Sequence, residues 1–236
     1  MKGVIVAGGA GERMRLSGSS VPKPLTPLLG QPLIAHIAGL LRIHGCDDLL
    51  VLLGQHAEEM TQGLEQLRDQ RPDLNLHWRE TGEHTANAGR MLRVRDELAD
   101  QRFVMAWCDI LTNLDLSAML AFHQHHGGLA TVAAVRPLPR FGQLDIEGER
   151  VTGFREKQRQ DQPWINGGVF VLEPGVFDHI QNESEAWEQQ PMQRLLGHSE
   201  LYAWRHDGFW QAIDCLADCA TIESLSNKGR LPEGIG

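Results

Sequence analysis

Gly3-Val4-Ile5-Val6-Ala7-Gly8-Gly9-Ala10-Gly11-Glu12-Arg13-Met14-Arg15 is the stretch that decides the fold of this chain. The apolar run from Gly3 to Ala7 stops at two glycines, which reads as a short strand buried on both faces and ending in a loop. Glycines at 8, 9 and 11 let backbone N–H groups converge on an anion without side-chain obstruction, and Arg13 can fork onto phosphate oxygens. The loop therefore reads as a phosphate cradle. It is not the dinucleotide fingerprint, because Met14 stands at the third glycine position, and not a Walker loop, because no Gly-Lys-Ser/Thr follows. A purely structural glycine turn looks the same in isolation, so the loop takes its meaning from its surroundings.

Next comes Pro22-Lys23-Pro24-Leu25. The two prolines fix the backbone around Lys23 and lower the entropy cost of aiming its ammonium at one point, and Pro24 disfavours helix at Lys23 itself. Pro32 then opens a helical face of Leu33, Ile34, Ile37, Leu40 and Leu41 that ends at Gly45. Leu49 to Leu53 is predicted as a strand, Ala57 to Gln70 as a helix, and Leu74 to Trp78 as a weaker strand. A helical pattern runs through Met91, Val94 and Leu98, and Phe103 to Trp107 is a strand leading into Asp109. Asp115 suits the N-cap of a helix from Leu116 to His126, and Ala130 to Val135 is again a buried strand.

This alternation predicts an α/β fold, Rossmann-like, with a mostly parallel sheet and helices on both faces. Ligands then belong at the carboxyl ends of the strands. From about Arg140 the pattern changes to Gln143–Ile146, a turn at Glu147-Gly148-Glu149, then Val151–Arg155 and later Gly168–Leu172, which reads as a small antiparallel lobe. Helical stretches are expected near Glu185–Leu196 and Leu216–Leu225, with β-like segments at Leu201–Trp204 and Phe209–Ile213. The expected organisation is one domain over 1–236, in two parts, 1–135 and 136–236.

Composition narrows the function. The chain of 236 residues is 42% hydrophobic, enough for a full core, and its net charge of −9 argues against a nucleic-acid binder, which needs a basic face. Of 22 basic residues 18 are Arg and only four are Lys: Lys2, Lys23, Lys157 and Lys228. Four cysteines without Cys-x-x-Cys pairs suggest neither a disulfide scaffold nor a zinc site. The run Val4 to Ala7 is too short for a signal segment and no run approaches 18 apolar residues, so a soluble, cytoplasmic protein without membrane contact is expected. His123, His125 and His126 read as a solvated helix end rather than a metal site, and Cys215 and Cys219 as buried thiols.

Gly-Gly-x-Gly-x-Arg followed by Pro-Lys-Pro-Leu resembles the sugar nucleotidyltransferases, or NDP-sugar pyrophosphorylases. The resemblance extends through Asp109, Phe141-Gly142, Glu156-Lys157, Ile165-Asn166-Gly167-Gly168 and Gly208-Phe209-Trp210-Gln211-Ala212-Ile213-Asp214. Within the family, Arg140-Phe141-Gly142-Gln143-Leu144-Asp145-Ile146, Trp187-Glu188-Gln189 and Phe209-Trp210-Gln211 are most similar to glucose-1-phosphate cytidylyltransferase.

The resemblance implies a nucleotide-diphospho-sugar transferase fold, with 1–135 as the nucleotide-binding part and 136–236 as the sugar-binding part, and transfer of a nucleotidyl group from a nucleoside triphosphate to a sugar-1-phosphate. It implies that Arg13 holds the β- and γ-phosphates and Lys23 the α-phosphate, as the catalytic pair. The main chain of Ala7, Gly8, Gly9 and Gly11 would surround the nucleotide, with Thr81, Gly82 and Gly89 near its base. Asp109 and Asp214 would bind Mg²⁺, a hard cation that takes carboxylate and phosphate oxygens. Gly142, Glu156, Lys157, Asn166 and Gly167 would contact the sugar phosphate, and a homo-oligomer is implied. The chain departs from the family pattern at Glu12 (commonly Thr), Cys108 (commonly Gly) and Gln158 (commonly Pro), and in a shortened stretch before Thr81. These departures leave the base and the sugar open, including GTP or UTP with another hexose or heptose 1-phosphate, and a catalytically weak regulatory homologue.

Overall fold

Strand β1 (Lys2–Ala7) lies inside a seven-stranded sheet in the computed structural model, which describes residues 1–16, 18–19, 21–137, 142–156 and 162–235. Ile5 and Ala7 enter one apolar core and Val4 and Val6 another, so β1 is covered on both faces and carries no polar alternation. After β1 come α1 (Glu12–Leu16), β2 (Pro27–Leu28), β3 (Gln31–Pro32), α2 (Leu33–Ile43), β4 (Asp48–Leu53), α3 (Ala57–Gln70) and β5 (Leu76–Glu80). Next are α4 (Asn87–Arg93), α5 (Arg95–Leu98), β6 (Phe103–Trp107), β7 (Ile110–Thr112), α6 (Leu116–His126) and β8 (Ala130–Val135). The chain continues through β9 (Gln143–Glu147), β10 (Arg150–Arg155), β11 (Ile165–Leu172), α7 (Gln190–Gly197), β12 (Leu201–His206), β13 (Trp210–Ala212) and α8 (Leu216–Asn227).

The sheet order is β12-β8-β11-β6-β1-β4-β5. Strands β6, β1, β4 and β5 run parallel to one another, β11 is antiparallel to β6 and β8, and β12 is parallel to β8. Helices α2, α3 and α6 pack on one face and α4, α5 and α7 on the other. A third apolar cluster, of Met14, Leu28, Leu33, Leu111, Ile213, Cys219 and Ile222, ties α1 to β7 and α8. Met14, which breaks the dinucleotide fingerprint, is the fully buried anchor of α1 in that cluster.

The mixed sheet with helices on both faces is the α/β architecture expected, and α3, α6, β6 and β8 span the residues predicted for them. Other expectations need correction. The stretch 168–172 does not join a separate lobe: β11 sits between β6 and β8, because Val169 to Leu172 are apolar and buried on both faces and suit only an interior strand. The antiparallel lobe of the described residues is the β9–β10 hairpin alone, turned at Gly148 with φ +60, and one face of it exposes Leu144, Ile146, Val151 and Phe154. Since β11 and β12 lie in the main sheet, the two halves of the chain share it.

Strand β5 starts at Leu76 rather than Leu74, because Leu74 N–H closes a turn on Arg71 O and the pairing with β4 runs from Leu49↔Leu76 to Leu53↔Glu80. The helix through Met91, Val94 and Leu98 is two short helices that meet at Val94 (φ −113, ψ 16). Helix α7 begins at Gln190, not Glu185. Glu185 is held by Arg194 through bonds of 2.7 and 2.8 Å, and Trp187 N–H donates to Asn87 Oδ1, which commits this segment to docking on α4.

His123 is not solvated. It is 1% exposed and bonds Thr131 Oγ1 through Nδ1 (2.8 Å) and Glu173 Oε1 through Nε2 (3.2 Å). The periodicity of α6 turns this ring toward β8, where burial and the nearby Arg102 and His126 outweigh Glu173 and lower its pKa.

Candidate active site

The glycine loop leaves β1 between the carboxyl ends of β6 and β4, where an open α/β sheet presents ligands. Gly11 has φ +60, and a Cβ there would lie 2.9 Å from Lys23 Cβ, so glycine is what lets the Lys23 segment pack against the loop. Contrary to the expectation from Pro24, Lys23 itself opens a single 3₁₀ turn, Lys23–Leu25. Prolines suit such a start because the first N–H groups of a turn have no internal acceptor. The side chain of Lys23 is 11% exposed and points along the loop to two carboxylates: Nζ is 2.7 Å from Asp109 Oδ2 and 2.9 Å from Asp214 Oδ1.

A two-stranded ladder brings those carboxylates together. β7 follows Asp109 directly and pairs antiparallel with β13, Ile110 opposite Ala212, and Ile213 N–H then donates to Asp109 O (2.9 Å). Asp214 is the next residue, and Asp218 Oδ2 accepts from the N–H groups of Asp214 (2.8 Å) and Cys215 (3.0 Å) to open α8. Arg13 in α1 completes the cluster, Nη1 lying 2.7 Å from Asp214 Oδ2. Burial alone would lower the pKa of Lys23, but Asp109 and Asp214 outweigh it and hold the ammonium above its ordinary value.

These residues line one cleft of about 650 Å³ together with Ala7 to Met14, Thr85 to Asn87, Arg90, Trp107, Ala186 and Glu188. That volume suits a nucleotide-sized ligand. Asp109 and Asp214 present hard oxygen donors to a single cation point, which suits Mg²⁺ bound jointly with phosphate oxygens. Among the described residues no set of three His, Cys, Asp or Glu side chains converges as a metal cage.

The sequence matches the nucleotidyl transferase family over residues 2–211. The chain belongs to that family. Glucose-1-phosphate cytidylyltransferase of Salmonella typhi is 34% identical, with 98% of each chain covered. Mannose-1-phosphate guanylyltransferase 1 of Arabidopsis thaliana is 29% identical over 97% of this chain and 66% of its own. Solved structures share the fold: UDP-glucose pyrophosphorylase complexed with UDP-glucose superposes with a TM-score of 0.71 at 14% identity, covering 97% of this chain and 99% of that one. The inositol-1-phosphate CTP transferase from T. maritima superposes with a TM-score of 0.70 at 15% identity, covering 100% and 97%.

In this nucleotidyl transferase the remaining predicted residues fall into separate places. Thr81 and Gly82 do not line the cleft; they bond Arg90, which does. Gly89 is also outside the lining, and a Cβ on it would lie 2.1 Å from Glu183 O, so it serves the close packing of α4 on the Glu183 segment. Asn166 Oδ1 accepts from Gly168 N–H (2.8 Å) and Gly167 O accepts from Trp210 Nε1–H (2.8 Å), behind the cleft-lining Trp107. Gly142 and Glu156 flank the β9–β10 hairpin, outside the lining. Lys157 and Gln158, like Arg140 and Phe141, lie outside the described residues.

Arg90 is the residue that sequence reading missed. It is 4% exposed, and its guanidinium donates to Leu53 O (3.0 Å), Thr81 Oγ1 (2.9 Å), Gly82 O (2.6 Å), Gly8 O (2.9 Å) and Glu83 O (3.3 Å). Burial, reinforced by Arg93, lowers its pKa. A side chain on Gly8 or Gly54 would come within 2.3 Å of it. One cation thus clamps the ends of β1, β4 and β5 beneath the cleft. The available signal was a charge between Ala88 and Met91 on an otherwise apolar helical face.

Proposed function

We propose that this nucleotidyl transferase moves a nucleotidyl group from a nucleoside triphosphate to a sugar-1-phosphate, with CTP and glucose-1-phosphate as the first pair to test. A sugar-phosphate oxygen attacks the α-phosphorus, the bond from that phosphorus to the bridging β-oxygen breaks, and the products are an NDP-sugar and pyrophosphate. The convergence of Lys23, Arg13, Asp109 and Asp214 at the mouth of the glycine loop carries this reading. The similarity to a cytidylyltransferase over nearly the whole of both chains supports the choice of pair.

In this reading the N–H groups of the loop and Arg13 hold the β- and γ-phosphates, and the Lys23 ammonium neutralises charge at the α-phosphate, where two anions must meet. Asp109 and Asp214 would hold Mg²⁺, which when bound would supply charge neutralisation on the triphosphate. Glu156, Lys157, Asn166, Gly142 and Gly167 are assigned to the sugar-phosphate side. Glu12 lines the cleft and adds a carboxylate near the phosphates, an observation that favours weaker nucleotide binding or a different donor as the second reading.

Four nucleoside triphosphates tested against several sugar-1-phosphates with Mg²⁺, scored by pyrophosphate release, separate these outcomes. CTP with glucose-1-phosphate is expected to be the best pair. Reaction with another pair alone would remove only the substrate assignment, and silence in every combination would overturn the transferase reading.

A further inference from the structure

We propose that Glu188 selects the base, accepting a hydrogen bond from an exocyclic amine and so favouring CTP over UTP. This deepens the transferase reading and rests on it for the identity of the ligand. The cleft is lined by the carboxyl ends of β1 and β6, the glycine loop, the start of α4, and Ala186 and Glu188. Asp109 leaves β6 and Lys23 and Asp214 join it there, so the cationic and carboxylate machinery occupies one end. Thr85 to Asn87, Arg90, Ala186 and Glu188 line the rest of the same cleft. With a triphosphate at the glycine loop, Arg13 and Lys23, the lining left for the nucleoside is Thr85 to Asn87, Ala186 and Glu188.

Glu188 is built into that wall rather than dangling from it. Asn87 Oδ1 accepts from the backbone N–H groups of Trp187 (2.6 Å) and Ala88 (2.9 Å), which fixes the orientation of its amide, and Asn87 Nδ2 donates to Glu188 Oε2 (2.9 Å). Trp187 is fully buried and packs edge-on against Phe170 at 5.8 Å, anchoring the backbone beside Glu188. One carboxylate oxygen is thus tethered, and the group is a pure acceptor on a cleft wall. Cytosine and uracil have the same size and differ at position 4, where cytosine offers an amine and uracil a carbonyl oxygen. A carboxylate attracts the first and repels the second, and a site built around a polar pair discriminates strongly against the analogue that cannot complete it.

The test compares wild type, Glu188→Gln and Glu188→Ala with CTP and UTP, by pyrophosphate release and by calorimetric titration of nucleotide binding, with thermal melts as a check on folding. Wild type is expected to prefer CTP, and the CTP/UTP ratio should fall by about tenfold or more in Glu188→Gln, whose amide can donate to the uracil oxygen. An unchanged ratio in folded variants would overturn the assignment to Glu188. If wild type binds CTP and UTP equally, the inference fails whether or not turnover occurs. Absence of turnover with preserved, Glu188-dependent selectivity in binding would count against the transferase reading alone.

Discussion

Lys23 Nζ stands 2.9 Å from Asp214 Oδ1 across 191 positions of sequence, and the same nitrogen stands 2.7 Å from Asp109 Oδ2. One ammonium therefore lies between two carboxylates that would otherwise repel each other, and Arg13 supplies a second positive charge on Asp214. In the proposed reading a triphosphate entering there would compete with the carboxylates for Lys23, leaving them to a divalent cation.

Lys23→Ala should lower turnover by about 100-fold or more, as expected on removing a preorganised charge from the reacting centre. Asp109, then without Lys23, and Asp214, still paired with Arg13, should take a cation in its place, so Mg²⁺ should raise the thermal midpoint of the variant more than that of wild type. Pyrophosphate release and melts with and without Mg²⁺ check both halves. Turnover near wild type would remove Lys23 from the chemistry.

Gly11→Ala should act on Lys23 without touching its charge. The left-handed φ of +60 costs an alanine about 1–2 kcal/mol, and the new Cβ crowds Lys23 Cβ. Urea unfolding should show that loss together with reduced kcat. Gly9→Ala, with no atom within 4 Å of the added Cβ, is the control and should fold as wild type.

Arg90→Met should destabilise by about 3 kcal/mol or more, because it strips donors from buried oxygens on three chain segments. In a domain of this size that is a fall of roughly 6–12 °C in the thermal midpoint. Arg90→Lys keeps the charge but not the fork and should recover only part of it. A melt unchanged in the Met variant would show that the clamp is dispensable.

Stability should fall on mild acidification through His123. Burial keeps its folded-state pKa below the ordinary value, so the unfolded chain binds more protons near pH 6.5 and unfolding gains as pH drops through that value. Arg102 and His126 disfavour the charged ring, Glu173 favours it, and His125 acts on His126. Urea midpoints should be lower at pH about 5.5 than at about 7.5. His123→Gln should reduce that difference, to which His36, His126 and His179, whose pKa values burial also lowers, contribute the rest, and a slope identical to wild type would exclude His123 as a source.

The elements read correctly from sequence are those whose signals are local. Phe103–Trp107 and Ala130–Val135 are uninterrupted apolar runs, Ala57–Gln70 has its apolar stripe, and Leu116–His126 has its cap, Asp115 Oδ1 accepting from Ala118 N–H (2.9 Å). The misreadings have a different cause. Gly168–Leu172 carried the signature of an interior strand, but its neighbours β6 and β8 are chosen by chain crossings that periodicity does not encode. The segment after Glu185 has helical spacing, yet a bidentate arginine and an asparagine clamp outcompete helix formation.

For the site, sequence alone offered the residue types that could meet a phosphate, a glycine loop at a strand end, Arg13 and a lysine held between prolines, and the resemblance added Asp109 and Asp214 as acids for a cation. Sequence also determined the α/β architecture, because strand and helix periods are local properties. Only the tertiary structure decided that Lys23 bridges both acids, since the pairing of β7 with β13 places Asp214 beside Asp109. It likewise decided that Thr81 and Gly82 serve Arg90, and that Glu188 reaches the cleft through Asn87. Such contacts join residues far apart in the chain, and their energies come from burial and pairing that exist only after the sheet has closed around them.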